Sequence, residues 1–422
     1  MKRLPVFFLL LSAIAAFSQT SSFLTQAELS PAEQSMAQAT RLIEKNSKNF
    51  EAYNALALAL SRRARETSDV KFYTQAEETL KKSFEISPDN FDGKRIQVWL
   101  LLGKHEFATA REEALQLNKR MPDDVMVYGF LTDSNAELGN YDEAEKAAQL
   151  MLDLRPGNLP GITRAAYLRE IFGDVEGSLD LMNMALQSTA PSEVEDAAWI
   201  LAQIAHLQLS VGNTAEAERS LRQALTLFPG YHYALGNLAK VRIQQERYAD
   251  AVQLLDQRYQ AAPHAENLYD LAEALLLAGR TDESGKAFAE FERQSLLETN
   301  RGDNSNRELI FYYADYAHEP LKALEVAERE YLRRRDVYTR DAYAWALHVN
   351  GQDQAARTQI EAALAIGVRD AKLFRHAGEI ALKPGDRDAA TKYLQQAAAL
   401  NTAESPQAKT TLAHLSRTNT QH

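Results

Sequence analysis

Apolar residues return every third or fourth position along most of the chain, in runs that halt at Gly or Pro and then resume. Ala217, Leu221 and Ala224 show the pattern, at the i, i+4, i+7 spacing of a helix with one buried face. The small Ala side chains let an antiparallel neighbour approach closely, and Pro229 stops the run. Gly212 suits the left-handed conformation that ends the preceding helix. Asn213 is then placed to cap the next one, with Glu216 completing a capping box. Gly139, Asn140 and Glu143 repeat the device. A helical pair of this size cannot bury its apolar face alone, so neighbouring pairs must stack.

The pairs recur with a fixed period. Pro88, Pro122 and Pro156 are 34 residues apart, as are Pro229 and Pro263, and Gly351 and Gly385. Ala356 and Ala390, Ile360 and Leu394, and Ala363 and Ala397 keep the same step. Units begin near residues 49, 90, 124, 158, 193, 231, 265, 306, 337 and 371. The first carries a polar stretch, Ser61 to Val70, expected between its helices. The fifth is longer, with Pro191 and Pro229 38 residues apart. The eighth replaces the Gly corner with His318, Glu319 and Pro320. Ahead of the array, Ser30, Pro31, Ala32 and Glu33 form a capping box opening a helix with Met36, Ala39 and Ile43 inward. After it, Ser405 and Pro406 open a short helix holding Leu412 and Leu415.

This arrangement resembles the tetratricopeptide repeat family. Leu131, Gly139, Tyr141, Ala144, Ala147 and Pro156 carry the resemblance in one unit. Phe374, Gly378, Gly385, Ala390, Leu394 and Ala397 carry it in another. It implies an all-α, right-handed α-solenoid of about ten helix-turn-helix repeats with short capping helices. The expected organisation is a signal peptide over 1–18 and an N-terminal segment with capping helix over 19–48. About seven repeats follow over 49–298, a loop over 299–306, about three repeats over 307–402, and a C-terminal capping helix and tail over 403–422.

The signal peptide rests on Lys2 and Arg3, the apolar run Leu4 to Phe17, and Ala16 and Ser18 at the −3 and −1 sites before Gln19. About 14 apolar residues are too few for a permanent membrane helix. Cleavage places the protein in the periplasm or outside the cell; an uncleaved anchor is the alternative. Removal of Lys2 and Arg3 takes the net charge from −11 to −13. That balance disfavours nucleic acid and anionic membranes and suits a neutral or basic protein. The absence of Cys excludes disulfides, thiolate metal sites and a Cys nucleophile.

Little else in the sequence points to catalysis, and no cofactor is expected. His105 and His318 each precede a Glu but lack the second His of a helical zinc site. The stretch Gly279 to Lys286 is one residue too long for a phosphate loop, and Ala287 stands where Ser or Thr is required. Arg301, Gly302 and Asp303 spell a tripeptide resembling an integrin-binding motif, which turn composition explains. Arg333, Arg334 and Arg335 end a helix, where cations suit the dipole. The expected role is therefore a protein-interaction scaffold, not an enzyme, whose concave groove takes a protein or peptide. Binding of carbohydrate or cell-wall polymer on the same face, and a hydrolase using a carboxylate pair, are the alternatives.

The family resemblance assigns the groove to fixed positions of each first helix. These hold Tyr167, Trp199, His206, Tyr233, Lys240, Tyr269, Glu273, Trp345 and His348. Each aromatic ring either lines the groove or fills a gap between repeats. Relatives that clamp a peptide C-terminus carry Lys, Arg and Asn at positions held here by Gly129, Asp133, Ala202, His206, Gly236 and Lys240. A carboxylate clamp is therefore not expected.

Overall fold

Ala217, Leu221 and Ala224 are fully buried, as their spacing requires, and Gly212 turns the preceding corner at φ +80°. The same construction repeats along the chain. The computed structural model describes residues 29–302, 304–383, 385–400 and 405–419. The expected signal peptide and Asp303 lie outside the described residues.

Helix α1 (Pro31–Lys45) comes first. Hairpins follow from α2 (Phe50–Thr67) with α3 (Lys71–Ile86), α4 (Phe91–Gly103) with α5 (Phe107–Arg120), and α6 (Val125–Glu137) with α7 (Tyr141–Leu154). Next are α8 (Leu159–Ile171) with α9 (Val175–Ser188), α10 (Val194–Ser210) with α11 (Thr214–Leu227), and α12 (His232–Gln244) with α13 (Tyr248–Ala261). Then come α14 (Ala265–Leu277) with α15 (Thr281–Glu298), and α16 (Asn306–Phe311) with α17 (Pro320–Arg333). The last are α18 (Val337–Val349) with α19 (Asp353–Leu364), α20 (Ala371–Leu382) with α21 (Arg387–Ala399), and the closing helix α22 (Ser405–Asn419). No strand occurs among the described residues, and no helix there is long and apolar enough to cross a membrane. The molecule is an all-α solenoid.

Three local expectations meet different outcomes. The Ser30–Glu33 capping box forms. Those at Asn213 and Asn140 do not: their side-chain amides turn back to Gln208 and Asn135, on the helix just ended. The tight corner brings that last turn within reach, so the amide bonds backwards. The polar stretch from Ser61 is not an insert either, because α2 continues to Thr67. Ser61 and Ala64 extend the buried stripe of Ala57 and Leu60. Arg63 pairs with Glu33 at 2.8 Å, and Glu66 accepts from the Ala32 amide at 3.1 Å, binding the extension to α1.

In the eighth hairpin α16 runs on as a π-helical turn over Tyr312–Tyr316, and His318 takes the left-handed corner without Gly, as Ser68, His105 and Glu246 do in other hairpins. The loop before α16 does not interrupt the core. A single apolar cluster joins Tyr269, Phe288 and Phe291 on one side of it to Leu309, Ile310 and Trp345 on the other.

The solenoid curves tightly enough to return to itself. The corner after α4 meets Gly302, the corner after α6 meets Arg335, and the corner after α8 meets Gly367. Three consecutive corners of one turn thus rest on three consecutive loops of the next. A Cβ on Gly139 would stand 2.6 Å from the Arg335 carbonyl oxygen. One on Gly173 would stand closer still to that of Gly367, so glycine is required at this approach for space as well as for φ. The Arg335 N–H donates to the Glu137 carbonyl at 3.0 Å. Beneath the seam, Tyr141, Ala144, Leu168 and Ile171 share one apolar cluster with Val337, Leu347, Leu373 and Ile380. Nearer the N-terminus, Arg65 at the end of α2 pairs with Glu195 and Asp196 on α10, and its carbonyl accepts from His232 Nε2 at 3.0 Å.

Candidate functional site

First helices of successive hairpins pack directly on one another, α4 on α6, α6 on α8, α16 on α18 and α18 on α20. They form the inner layer of the curve. Because the seam closes that curve, the inner wall faces a lumen rather than the open groove expected from the sequence. Its side chains reach water while protein surrounds them. Glu266 on α14 keeps 42% of its side-chain surface accessible, Arg307 on α16 keeps 30%, and Glu137 on α6 keeps 26%.

Charge on this wall is arranged around Arg307. Its guanidinium is desolvated, yet Asp336, Glu308, Glu137 and Glu266 hold it charged and push its pKa further up. The closest of these, Asp336, lies 3.8 Å away. The carboxyls respond differently to their shared surroundings. Burial raises Glu137 to about 7, reinforced by Asp336 and opposed by Arg334 and Arg307. Burial also raises Glu308, against the pull of Arg307. In Glu266 burial is outweighed by His264, Arg258 and Arg307, and the pKa falls. In Asp336 it is outweighed by Arg334, Arg307 and the bonds from Thr339. Tyr167, Tyr233 and Tyr338 stand between these charges, and desolvation pushes their phenols up, Tyr233 to about 12. The wall is thus a mosaic of carboxylates, phenols and guanidiniums, able to pair with polar and charged groups.

The residues singled out from sequence divide on this wall. Tyr167 and Tyr233 are half-buried and belong to it. Lys240 is exposed, and His206 bonds through Nε2 to Glu170 at 2.7 Å with 39% of its side chain accessible. Trp199 is half-buried between two core clusters. Glu273 accepts from the Tyr316 hydroxyl at 2.8 Å, and His348 bonds to Asp353 at 3.0 Å.

Two of the residues are core and not groove. Tyr269 is 3% exposed, packed among Phe288, Phe291 and Tyr316. Trp345 is 5% exposed, stacks on His376 with centroids 4.3 Å apart and donates from Nε1 to Asp315 at 2.8 Å. The π-helical turn of the eighth hairpin sets Tyr316 against the Tyr269 ring and Asp315 at the Trp345 indole N–H. Sequence reasoning passed over Glu137, Glu266, Arg307, Glu308 and Asp336 because it weighed aromatic residues at groove positions above charged ones.

Residues 97–158 and 208–263 each match a model of the tetratricopeptide repeat. No curated protein matches the chain in sequence. Among solved structures, the fold is similar to a human IFIT1 dimer with m7Gppp-AAAA. The TM-score there is 0.50 at 14% identity, over 91% of this chain and 87% of that one. Yeast Tom70 is similar with a TM-score of 0.41 and 14% identity, over 96% of each chain. A chain of the APC/C hetero-tetramer Cut9-Hcn1 gives 0.46 and 14%, over 80% of this chain. This chain spans 56% of the length of that relative. Only the first of these reaches a TM-score of 0.50, and at 14% identity it bears on the fold alone.

Proposed function

The chain belongs to the tetratricopeptide-repeat proteins, and on that premise we propose that it is an exported interaction scaffold whose inner wall holds a segment of another protein. The observation that carries this reading is the wall itself, where water-accessible carboxylates, guanidiniums and tyrosines from successive first helices face one lumen. A closed curve of this kind admits an extended or singly helical segment more readily than a folded domain. The acidic net charge, −11 for the full chain and −13 without Lys2 and Arg3, selects for neutral or basic partners and speeds their approach. The export part of this proposal is supported by Lys2 and Arg3, the apolar run and the Ala16 and Ser18 cleavage pattern. Burial of Tyr269 and Trp345 removes two rings from the aromatic row that a polysaccharide reading needs.

A hydrolase reading has one observation in its favour, since Glu137 is raised to about 7 while its neighbour Asp336 is lowered. The geometry weakens it. The Arg334 guanidinium lies 3.6 Å from Glu137 and 3.8 Å from Asp336, and so occupies the space a substrate would need. Asp336 is also committed to capping α18.

A photo-crosslinking residue at Tyr233 on the inner wall, compared with one at Leu332 on the outer surface, tests the scaffold reading in the producing cells. A defined protein adduct from position 233 and none from 332 is expected. Adducts from 332 alone would place binding on the outside and refute the lumen.

A further inference from the structure

The seam at the corner after α6 brings together two carboxyls of unequal standing. Asp336, on the loop before α18, accepts from the Tyr338 amide at 3.0 Å, the Thr339 amide at 3.2 Å and the Thr339 hydroxyl at 2.5 Å. Glu137, at the end of α6 one turn of the solenoid away, has no such support, and its nearest cation is Arg334 at 3.6 Å. Arg334 is itself engaged by Glu330 at 2.9 Å. One guanidinium, already claimed, is thus shared between carboxyls that belong to opposite sides of the contact.

We propose that this contact is a proton-operated latch, closed while the Glu137 carboxyl carries a proton and loosened when Glu137 ionises against Asp336. The remaining groups facing Glu137 lie on α6, α7, α8 and α16. Asp133 on its own helix is paired with Arg164 of α8. Tyr141 on α7 and Tyr167 on α8 are both pushed up and stay neutral. Arg307 on α16 stays charged. The seam is carried by the Glu137 carbonyl and by the amides on either side of Asp336. The Glu137 carbonyl accepts from Arg335 N–H at 3.0 Å, and Val337 N–H donates to the Tyr141 hydroxyl at 2.8 Å. Opening removes Asp336 and admits water, which returns Glu137 to ordinary carboxylate behaviour. The closed form therefore holds one more proton than the open form, and acid favours closure while alkali favours opening.

With Glu137 at about 7 when closed and near 4.5 when open, linkage gives about a ten-fold weaker seam at pH 8 than at pH 6. Deuterium exchange at the Arg335 and Val337 amides, corrected for intrinsic exchange rates, reads this directly. Protection of those two amides is expected to fall about ten-fold from pH 6 to pH 8. The Leu221 amide, inside α11, should keep its protection. Glu137→Gln, which mimics the protonated side chain, should leave both seam amides protected at either pH. An unchanged wild-type seam overturns the latch. So does a pH response that survives in E137Q, or an E137Q seam unprotected at both pH values while its circular dichroism is native.

Discussion

The Tyr141 hydroxyl accepts a hydrogen bond from the Val337 amide at 2.8 Å, across 196 positions of sequence. Both residues are buried, Tyr141 with 6% of its surface exposed and Val337 with none. Tyr141→Phe keeps the ring but leaves a buried N–H without its acceptor. The expected loss is about 1–3 kcal/mol in denaturant unfolding, with faster exchange of the Val337 amide. No loss would mean that the contact is absent in solution.

Glycines at the corners separate backbone strain from contact between turns. Gly212 and Gly139 share positive φ values, +80° and +75°, but a Cβ on Gly212 meets open space while one on Gly139 meets the Arg335 carbonyl. Gly212→Ala should therefore cost about 1 kcal/mol, from left-handed strain alone. Gly139→Ala and Gly173→Ala should cost clearly more and expand the particle in small-angle scattering. Equal stability losses in all three would contradict the seam.

Core and wall residues should part company on truncation. Trp345→Ala empties a sealed, hydrogen-bonded site and is expected to lose about 3–5 kcal/mol, read by thermal unfolding. Lys240→Ala is expected to leave the unfolding midpoint within about 0.5 kcal/mol of wild type.

His232 adds a pH dependence of its own. Burial holds its pKa down to about 4, and a neutral ring donates to the Arg65 carbonyl. The unfolded ring titrates near its ordinary 6.5. This contribution to stability is complete above pH 6.5 and is lost as pH falls toward 4, by about 1.4 kcal/mol per unit. The imidazole resonances of His232 should stay those of a neutral ring down to pH 5. A midpoint near 6.5 would show that the ring is solvated.

Much of the fold was legible in the sequence because hairpin packing is local. Ala217, Leu221 and Ala224 declare a buried stripe within one helix, and the 34-residue return of proline and glycine declares the stacking. Family resemblance then pointed to first helices as the inner layer. What stayed hidden depends on curvature summed over many repeats. Nothing near Gly139 or Gly173 distinguishes a corner that meets another turn from the free corner at Gly212. The proximity of Glu137 to Asp336 is invisible for the same reason. Whether Tyr269 and Trp345 lie in the groove or the core was open in the sequence, since it turns on the π-helical segment over Tyr312–Tyr316 that brings Tyr316 to one ring and Asp315 to the other.

Export is tested by the N-terminus of the protein recovered from the producing cells, which should begin at Gln19. A chain that starts at Met1 would withdraw the cleaved signal.

Closure of the solenoid upon itself is tested most directly by one distance. Spin labels at Lys104 and Arg301, introduced as cysteines into a chain that has none, flank the contact between the Lys104 carbonyl and Gly302. Since neighbouring Cα atoms are about 3.8 Å apart, the closed seam predicts labels within roughly 20 Å. An open rod, with helices stacked about 8–10 Å apart over the intervening hairpins, predicts roughly 50 Å or more, and that result would contradict the account.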